Sequence, residues 1–110
     1  MSGGAGLDVM DGGTGNDTLS GGVDNDNVVG GRGSDDLNGG SGNDRLSGSD
    51  GNDKLTGGSG QDTIYGGPGY DRIGARDRQK DVIRCGSGRD TVTADKIDVV
   101  SRDCEKVRRF

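Results

Sequence analysis

The nine residues GGTGNDTLS at positions 12–20 set the pattern for most of this chain. GGSGNDRLS at 39–47 repeats the pattern position by position, and residues 3–74 hold eight such units in unbroken phase. The unit has the form Gly-Gly-x-Gly-x-Asp-x-(apolar)-x. Random low-complexity sequence would almost never keep a carboxylate and a hydrophobe in register over so many copies, so the repeat is the main guide to the fold.

Two columns of the repeat carry side chains of opposite character. Position six is always an acid: Asp8, Asp17, Asp26, Asp35, Asp44, Asp53, Asp62 and Asp71. Position eight is always apolar: Met10, Leu19, Val28, Leu37, Leu46, Leu55, Ile64 and Ile73. The glycines suit tight turns with positive φ, and the residues around position eight suit short strands. Each unit is therefore predicted to form a loop followed by a strand.

This pattern resembles the RTX, or haemolysin-type, calcium-binding nonapeptide family. The resemblance implies an all-β fold, a right-handed parallel β-roll (a β-solenoid) with two repeats in each 18-residue coil and a thin aliphatic core. Alternate acids would then stack about 4.8 Å apart, the spacing of paired strands. One predicted column is Asp8, Asp26, Asp44 and Asp62, and the other is Asp17, Asp35, Asp53 and Asp71.

The donor atoms of the repeat favour calcium. Asp carboxylates and loop carbonyls offer only oxygen, and Ca²⁺ prefers six to eight oxygens in irregular geometry, whereas Mg²⁺ demands a strict octahedron. The chain has no His and only two Cys, so zinc, copper and iron are poorly served. Because each column of stacked acids leaves three gaps, we expect up to about six Ca²⁺ sites between coils.

The composition makes a ligand-free fold hard to stabilise. Hydrophobic residues are 25% of the chain, aromatic residues 3%, and the mean hydropathy is -0.81. Such a composition is typical of disordered chains, because few apolar side chains offset the entropy of ordering the backbone. We therefore predict a module that folds as it binds several Ca²⁺ ions. A flexible Asp-Gly-Asn-rich linker is the alternative.

Charge is unevenly distributed along the chain. Residues 1–74 carry 12 Asp against 4 Lys or Arg, whereas residues 75–110 carry 7 acids against 10 Lys or Arg. An acidic array followed by a basic end favours cations as partners and disfavours nucleic acid along the repeats. The basic terminus, Lys106, Arg108 and Arg109, is interpreted as a solvated chain end.

Further expectations concern the cellular context. No apolar stretch is long enough for a membrane span, and no basic-then-apolar run of a signal peptide follows Met1. Together with the resemblance, this predicts a monomeric fragment of a larger secreted, extracellular protein, attached there to an upstream domain.

The repeat pattern has imperfections. Asp24 and Ser49 replace glycines of the third and sixth repeats, which predicts strained loops unless Asp24 and the neighbouring Asp50 serve as extra ligands. After residue 74 the phase slips by one at Ala75, and residues 76–84 keep Asp81 and an apolar residue without any glycine, so no normal loop site is expected there.

Residues 75–93 are predicted to be degenerate repeats that continue the roll beyond the regular part, 3–74. Residues 85–93 (CGSGRDTVT) recover the pattern, and Asp90 should stack on Asp71 as a further candidate ligand. Residues 94–110 lack glycine and are predicted to cap the open core. The candidate capping side chains are Ile97, Val99, Val100 and Val107.

The two cysteines, Cys85 and Cys104, lie 19 residues apart, close to one coil. Stacking would bring them within disulfide reach, and an extracellular setting would favour the bond. Two free thiols or intermolecular pairing are the alternatives.

No catalytic constellation is visible, because the chain has no His and its acids lie at ligand spacing in glycine loops. We therefore expect no enzyme activity. An adhesion or surface-attachment spacer made rigid by calcium is an alternative function. An ice-binding solenoid is less favoured, because the third positions read Thr14, Arg32, Asp50, Pro68 on one side and Ala5, Val23, Ser41, Ser59 on the other, and neither forms a regular ladder.

Overall fold

Short strands recur once in every repeat. The structure is a computed structural model, and it describes residues 3–4, 6, 8–75, 79–94, 98–101, 104 and 106–109. Its strands are β1 (Val9–Asp11), β2 (Thr18–Ser20), β3 (Asn27–Val29), β4 (Asp36–Asn38), β5 (Arg45–Ser47), β6 (Lys54–Thr56), β7 (Thr63–Tyr65), β8 (Arg72–Gly74), β9 (Val82–Arg84), β10 (Thr91–Ala94), β11 (Val99–Val100) and β12 (Lys106–Arg109). No helix occurs among these residues.

The strands form two six-stranded parallel sheets, one of odd-numbered and one of even-numbered strands. We call them the odd sheet, in the order β1-β3-β5-β7-β9-β11, and the even sheet, in the order β2-β4-β6-β8-β10-β12. Each strand pairs with the strand two repeats later, as Leu37 does with Leu55 one coil further along. The prediction of an all-β parallel solenoid with two repeats in each coil is therefore confirmed.

The core is a single layer of side chains between the two sheets. In each strand of the regular repeats the middle residue is buried while its neighbours face outward, as the two-residue period of a strand requires. Leu37 and Leu55 are fully buried. The Cα atoms extend over 31 × 28 × 13 Å, so the molecule is thin along one axis. Such a core buries little apolar surface for each ordered residue.

The phase slip at Ala75 appears as a change of register. Arg72 pairs with Thr91, so this coil is one residue longer than a regular coil, as the sequence predicts. Towards the C-terminal end the coils shorten. Val82 pairs with Val99 in a coil one residue shorter than a regular one, and the coil that pairs Thr91 with Lys106 is shorter still. The last coils are therefore closed by shorter connections.

The candidate capping side chains differ in how they meet the core. Val100 packs against the core, and Val107 pairs with Val92 but stays 37% exposed. The expectation for Val99 is wrong, because strand alternation turns its side chain outward and leaves it 49% exposed. Ile97 lies outside the described residues.

A disulfide joins Cys85 to Cys104, with the two Cα atoms 5.1 Å apart. Cys85 is fully buried at the end of β9, and Cys104 packs against the core from the segment before β12. The predicted pairing is confirmed, and it fixes the last coil covalently to the one before it.

The two glycine replacements do adopt the backbone conformation that glycine would have supplied. Asp24 has a φ of 73° and Ser49 a φ of 68°, in the left-handed region that side chains disfavour. The backbone N–H of Gly6 donates to Asp24 Oδ2 at 2.8 Å. The predicted strain is therefore present, and at Asp24 a hydrogen bond between coils accompanies it.

Candidate metal centre

The position-six acids form two continuous hydrogen-bonded columns. Each Asp lies just before a strand, and its backbone N–H donates to the Oδ1 of the Asp one coil later, as from Asp26 to Asp44 at 2.8 Å. One column, along the odd sheet, contains Asp8, Asp26, Asp44, Asp62, Asp81 and Asp98. The other contains Asp17, Asp35, Asp53, Asp71 and Asp90. All nine acids singled out from the sequence therefore lie in the predicted columns.

The sequence interpretation missed two members of the first column. Asp81 accepts from the N–H of Asp62 at 2.6 Å, and its own N–H donates to Asp98 at 2.9 Å. Both side chains are buried. Asp81 keeps the sixth-position acid of residues 76–84, but the sequence predicts no site there because the loop lacks glycine, and Asp98 is not singled out. The signal that remains in the sequence is an Asp followed directly by two β-branched residues. These pairs begin at Val82 after Asp81 and at Val99 after Asp98.

The second carboxylate oxygen of these acids is buried as well. Within the part of the chain that the structure describes, Oδ2 has no hydrogen-bond partner in Asp8, Asp17, Asp26, Asp35, Asp44, Asp53 and Asp71. A buried acceptor without a donor is costly, and a buried charge without a partner more so. Each column thus presents a row of oxygens that lack a counter-charge.

The first glycine of the repeat borders the same oxygen. A Cβ on Gly39 would lie 2.6 Å from Asp44 Oδ2 and 2.6 Å from the carbonyl oxygen of Gly57 in the next coil. Two oxygens from neighbouring coils therefore face one small space, which we call the oxygen cradle and which only glycine leaves open. In the described loops of residues 3–74, the backbone carbonyls at positions two, six and nine of the repeat accept backbone hydrogen bonds. The carbonyls at position one accept none of these hydrogen bonds.

A family model for the RTX calcium-binding nonapeptide repeat matches residues 2–37 and 38–73, well over half of the chain. The chain belongs to the RTX calcium-binding nonapeptide repeat family. Searches of curated proteins and of solved structures found no significant match.

The donor set of the RTX columns fits the ion that this family binds. Among the described residues no three acids or cysteines cluster as a metal site, so two stacked carboxylates and loop carbonyls are the available ligands. All are hard oxygen donors, which suit Ca²⁺. Asp44 and Asp62 with the position-one carbonyls of their coils form one such set.

Burial also changes the acidity of the RTX carboxylates. Desolvation, helped by repulsion from stacked neighbours and opposed by the backbone hydrogen bond each accepts, raises the pKa of Asp53 to about 6 and of Asp71 to about 7. The pKa values of Asp35 and Asp44 are raised for the same reasons. These four carboxylates thus resist ionisation unless a cation is present.

One further observation concerns membranes. Within the described residues, no helix has the length and apolarity that crossing a bilayer requires.

Proposed function

We propose that this chain is a calcium-responsive module, in which several Ca²⁺ ions bind between stacked coils and convert a mostly unfolded chain into the folded roll. The observation that carries the proposal is the row of buried carboxylate oxygens without hydrogen-bond donors, as at Asp44 and Asp53. Divalent cations between coils would supply the missing counter-charge, and the donor set favours calcium.

The proposed ligands are the position-six acids and the position-one carbonyls of adjacent coils. The acids are Asp8, Asp17, Asp26, Asp35, Asp44, Asp53, Asp62, Asp71 and Asp90. Up to about six intercoil sites follow from the gaps between acids in the regular part of the two columns. Because Asp8 and Asp17 begin the described columns, they should contribute least.

Folding and binding are linked in this proposal. Without calcium, the stacked carboxylates repel one another and are poorly solvated. A ligand that binds only the folded state stabilises it by mass action, and several sites in one array make the transition cooperative. Extracellular calcium modules bind at about 10⁻⁴–10⁻³ M, and this range is the one we expect.

The remaining features fit an extracellular structural role. We assign residues 3–74 to the calcium-binding roll, 75–93 to its degenerate continuation and 94–110 to the cap. The disulfide favours an oxidising compartment, and secretion as a monomeric, non-enzymatic part of a larger protein is the context that we propose.

A calcium titration followed by far-UV circular dichroism tests the proposal. Chelated protein is titrated with calcium, with magnesium in parallel, and a cooperative gain of β-structure with calcium alone is expected. A chain that stays unfolded at about 10 mM calcium, above the usual extracellular range, would refute it. A chain that is fully folded in chelator would also refute it, because the disulfide and cap would then suffice.

A further inference from the structure

The outer face of the even sheet gathers basic side chains that lie far apart in the sequence. Lys54 on β6 and Arg72 on β8 are register neighbours. Lys106 and Arg108 on β12 lie two strands beyond Arg72, across β10. All four are exposed, and we call this set the basic face. The sequence interpretation treated the last two residues as a solvated chain end, but the coil geometry places them on one surface with the first two.

Along its own ladder, among the described residues, the basic face meets an acid only at Lys54, which pairs with Asp36. Arg72 has Lys54 on one side and the hydroxyl-bearing Thr91 on the other. Like charges directly opposite each other in neighbouring strands are destabilising. Asp36, which pairs with Lys54 on β4, marks the limit of the face. The arrangement therefore favours an anion from outside the molecule.

A groove runs between the two outward rows of side chains on this sheet. It has a volume of about 330 Å³, and its lining includes Lys54, Thr56, Arg72, Gly74, Thr91 and Thr93. Gly74 opens it, because the position that holds Thr in the neighbouring strands holds no side chain there. An adjoining pocket of about 320 Å³ is lined by Arg89, Asp90, Thr91 and Lys106. Thr91 lines both, so the two pockets adjoin at β10.

The groove offers cations and hydroxyl groups, and none of its own lining residues is aromatic. A single exposed aromatic side chain, Tyr70, lines the neighbouring pocket with Lys54 and Arg72. Single-stranded nucleic acids are usually bound by basic grooves that also provide aromatic stacking platforms. A sugar polymer with carboxylate or sulfate groups instead presents anions to Lys and Arg and hydroxyls to Thr. We propose that this face binds an acidic polysaccharide, which lies across β6, β8 and β10.

Calcium should strengthen this binding, and in this respect the inference rests on the proposed function. Asp17, Asp35 and Asp53 line a neighbouring pocket together with Lys54 and Arg72. Their uncompensated charges would repel a polyanion, whereas bound Ca²⁺ neutralises them. Because such coupling is reciprocal, the polysaccharide should lower the calcium concentration needed for folding.

The test is calorimetric titration of the calcium-folded protein with a size-defined heparin oligosaccharide, after circular dichroism has established that each variant is folded. Lys54→Gln/Arg72→Gln should weaken binding about tenfold, because two charge-assisted contacts are lost. The matched control, Arg45→Gln/Arg84→Gln, removes the same charge from the odd sheet and should change affinity less than about twofold.

A second variant separates groove binding from simple charge attraction. A Cβ at Gly74 would meet only the carbonyl of Leu55, at 4.0 Å, so Gly74→Thr fills the groove without crowding the backbone. It leaves the net charge unchanged and should weaken binding several-fold.

Three results would overturn the proposal. The first is that the folded protein binds no heparin, and the second is that the two charge variants lose affinity equally. The third is an affinity unaffected by Lys54→Gln/Arg72→Gln, which would mean that calcium alone bridges the polyanion. Tighter binding of an oligothymidylate than of heparin would assign the face to nucleic acid instead. A chain that stays unfolded in calcium is detected separately by circular dichroism, and that result refutes the proposed function.

Discussion

In the regular repeats glycine occupies position one of every unit, whereas in the C-terminal coils residues that have side chains take that position. Position one is glycine throughout residues 3–74. In the C-terminal part Cys85 takes that position in the repeat of Asp90, and Ala75 and Ala94 take it in the segments that lead to Asp81 and Asp98. All three are buried. A Cβ therefore lies where glycine leaves the oxygen cradle open. The regular coils thus leave the oxygen cradle open, while the final coils fill the corresponding space with carbon and a disulfide.

Removing the disulfide should have the largest effect. Cys85→Ala/Cys104→Ala is expected to lose about 3 kcal/mol of stability on the chain-entropy model for a loop of this length. The loss should be local: hydrogen exchange should accelerate in β10 and β12, while β3–β6 remain protected at saturating calcium. A uniform loss of protection would contradict the division of the molecule into two regions.

Closing one oxygen cradle in the regular part is the next test. Gly39 does not have positive φ, so Gly39→Ala tests space alone and not backbone conformation. Its Cβ would crowd Asp44 Oδ2 and the Gly57 carbonyl, which should cost about 1–3 kcal/mol and raise the calcium midpoint of folding. An unchanged midpoint by circular dichroism would show that the cradle does not contribute to the ion site.

Single acids should differ according to region. Asp44→Ala and Asp53→Ala are expected to raise the calcium midpoint about tenfold or more, because outer partners of metal ligands alone are worth that much. Asp8→Ala, at the start of its column, should matter least. Asp90→Ala should also have a smaller effect, because Cys85 occupies its cradle. Equal effects of all four in a calcium titration would refute the stacked columns.

A fall in pH should change the stability of the roll in opposite directions with and without calcium. Burial raises the pKa of Asp71 to about 7 and of Asp53 to about 6 from an ordinary 3.8. Between about pH 4 and 7 the calcium-free roll therefore binds more protons than the unfolded chain, so its stability rises as pH falls. With calcium present, protonation releases the ion and destabilises the roll. Circular dichroism from pH 4 to 8, in chelator and in calcium, measures both signs; the same sign in both would contradict this account.

The smallest expected effect concerns the two strained residues. Ser49→Gly should stabilise the calcium-bound roll by about 0.5 kcal/mol, because relief of about 1–2 kcal/mol of left-handed strain exceeds the entropic cost of glycine, about 0.5–1 kcal/mol. Asp24→Gly is the control, since it also loses the hydrogen bond to the Gly6 N–H and should gain less. Urea unfolding at fixed calcium compares the two, and a larger gain at position 24 would contradict the role of that hydrogen bond.

Much of the fold was predictable because the repeat encodes it directly. A nine-residue period fixes which side chain faces inward, and so Leu37, Leu46 and Leu55 were predicted for the core and are buried there. The nonapeptide pattern keeps Asp81 but predicts no site there, because the loop lacks glycine, and it does not reveal Asp98.

The basic face was not predictable for a different reason. Lys54 and Arg72 are one regular coil apart, but Lys106 joins them only through one coil that is longer than a regular coil and one that is shorter. The longer coil follows from the slip at Ala75, whereas the shorter one depends on how the last turn is closed, which no periodic signal specifies. Non-repeating connections decide which side chains become neighbours at this end.

The hydrogen bonds of the acid columns all point the same way along the molecule. Each Asp N–H donates to the carboxylate of the following coil, as Asp35 does to Asp53 at 2.8 Å. Within the acid columns, deleting a coil from the N-terminal side removes only a donor, and the carboxylate left behind can be hydrated or can bind an ion. The sheet ladder loses an acceptor at that end, as the Asn27 N–H does when Asp8 is removed. Deleting one from the C-terminal side instead leaves the N–H group of a column Asp with no carboxylate to accept its hydrogen bond. The solenoid therefore has a polarity like that of a filament, and truncations of equal length at its two ends are not equivalent.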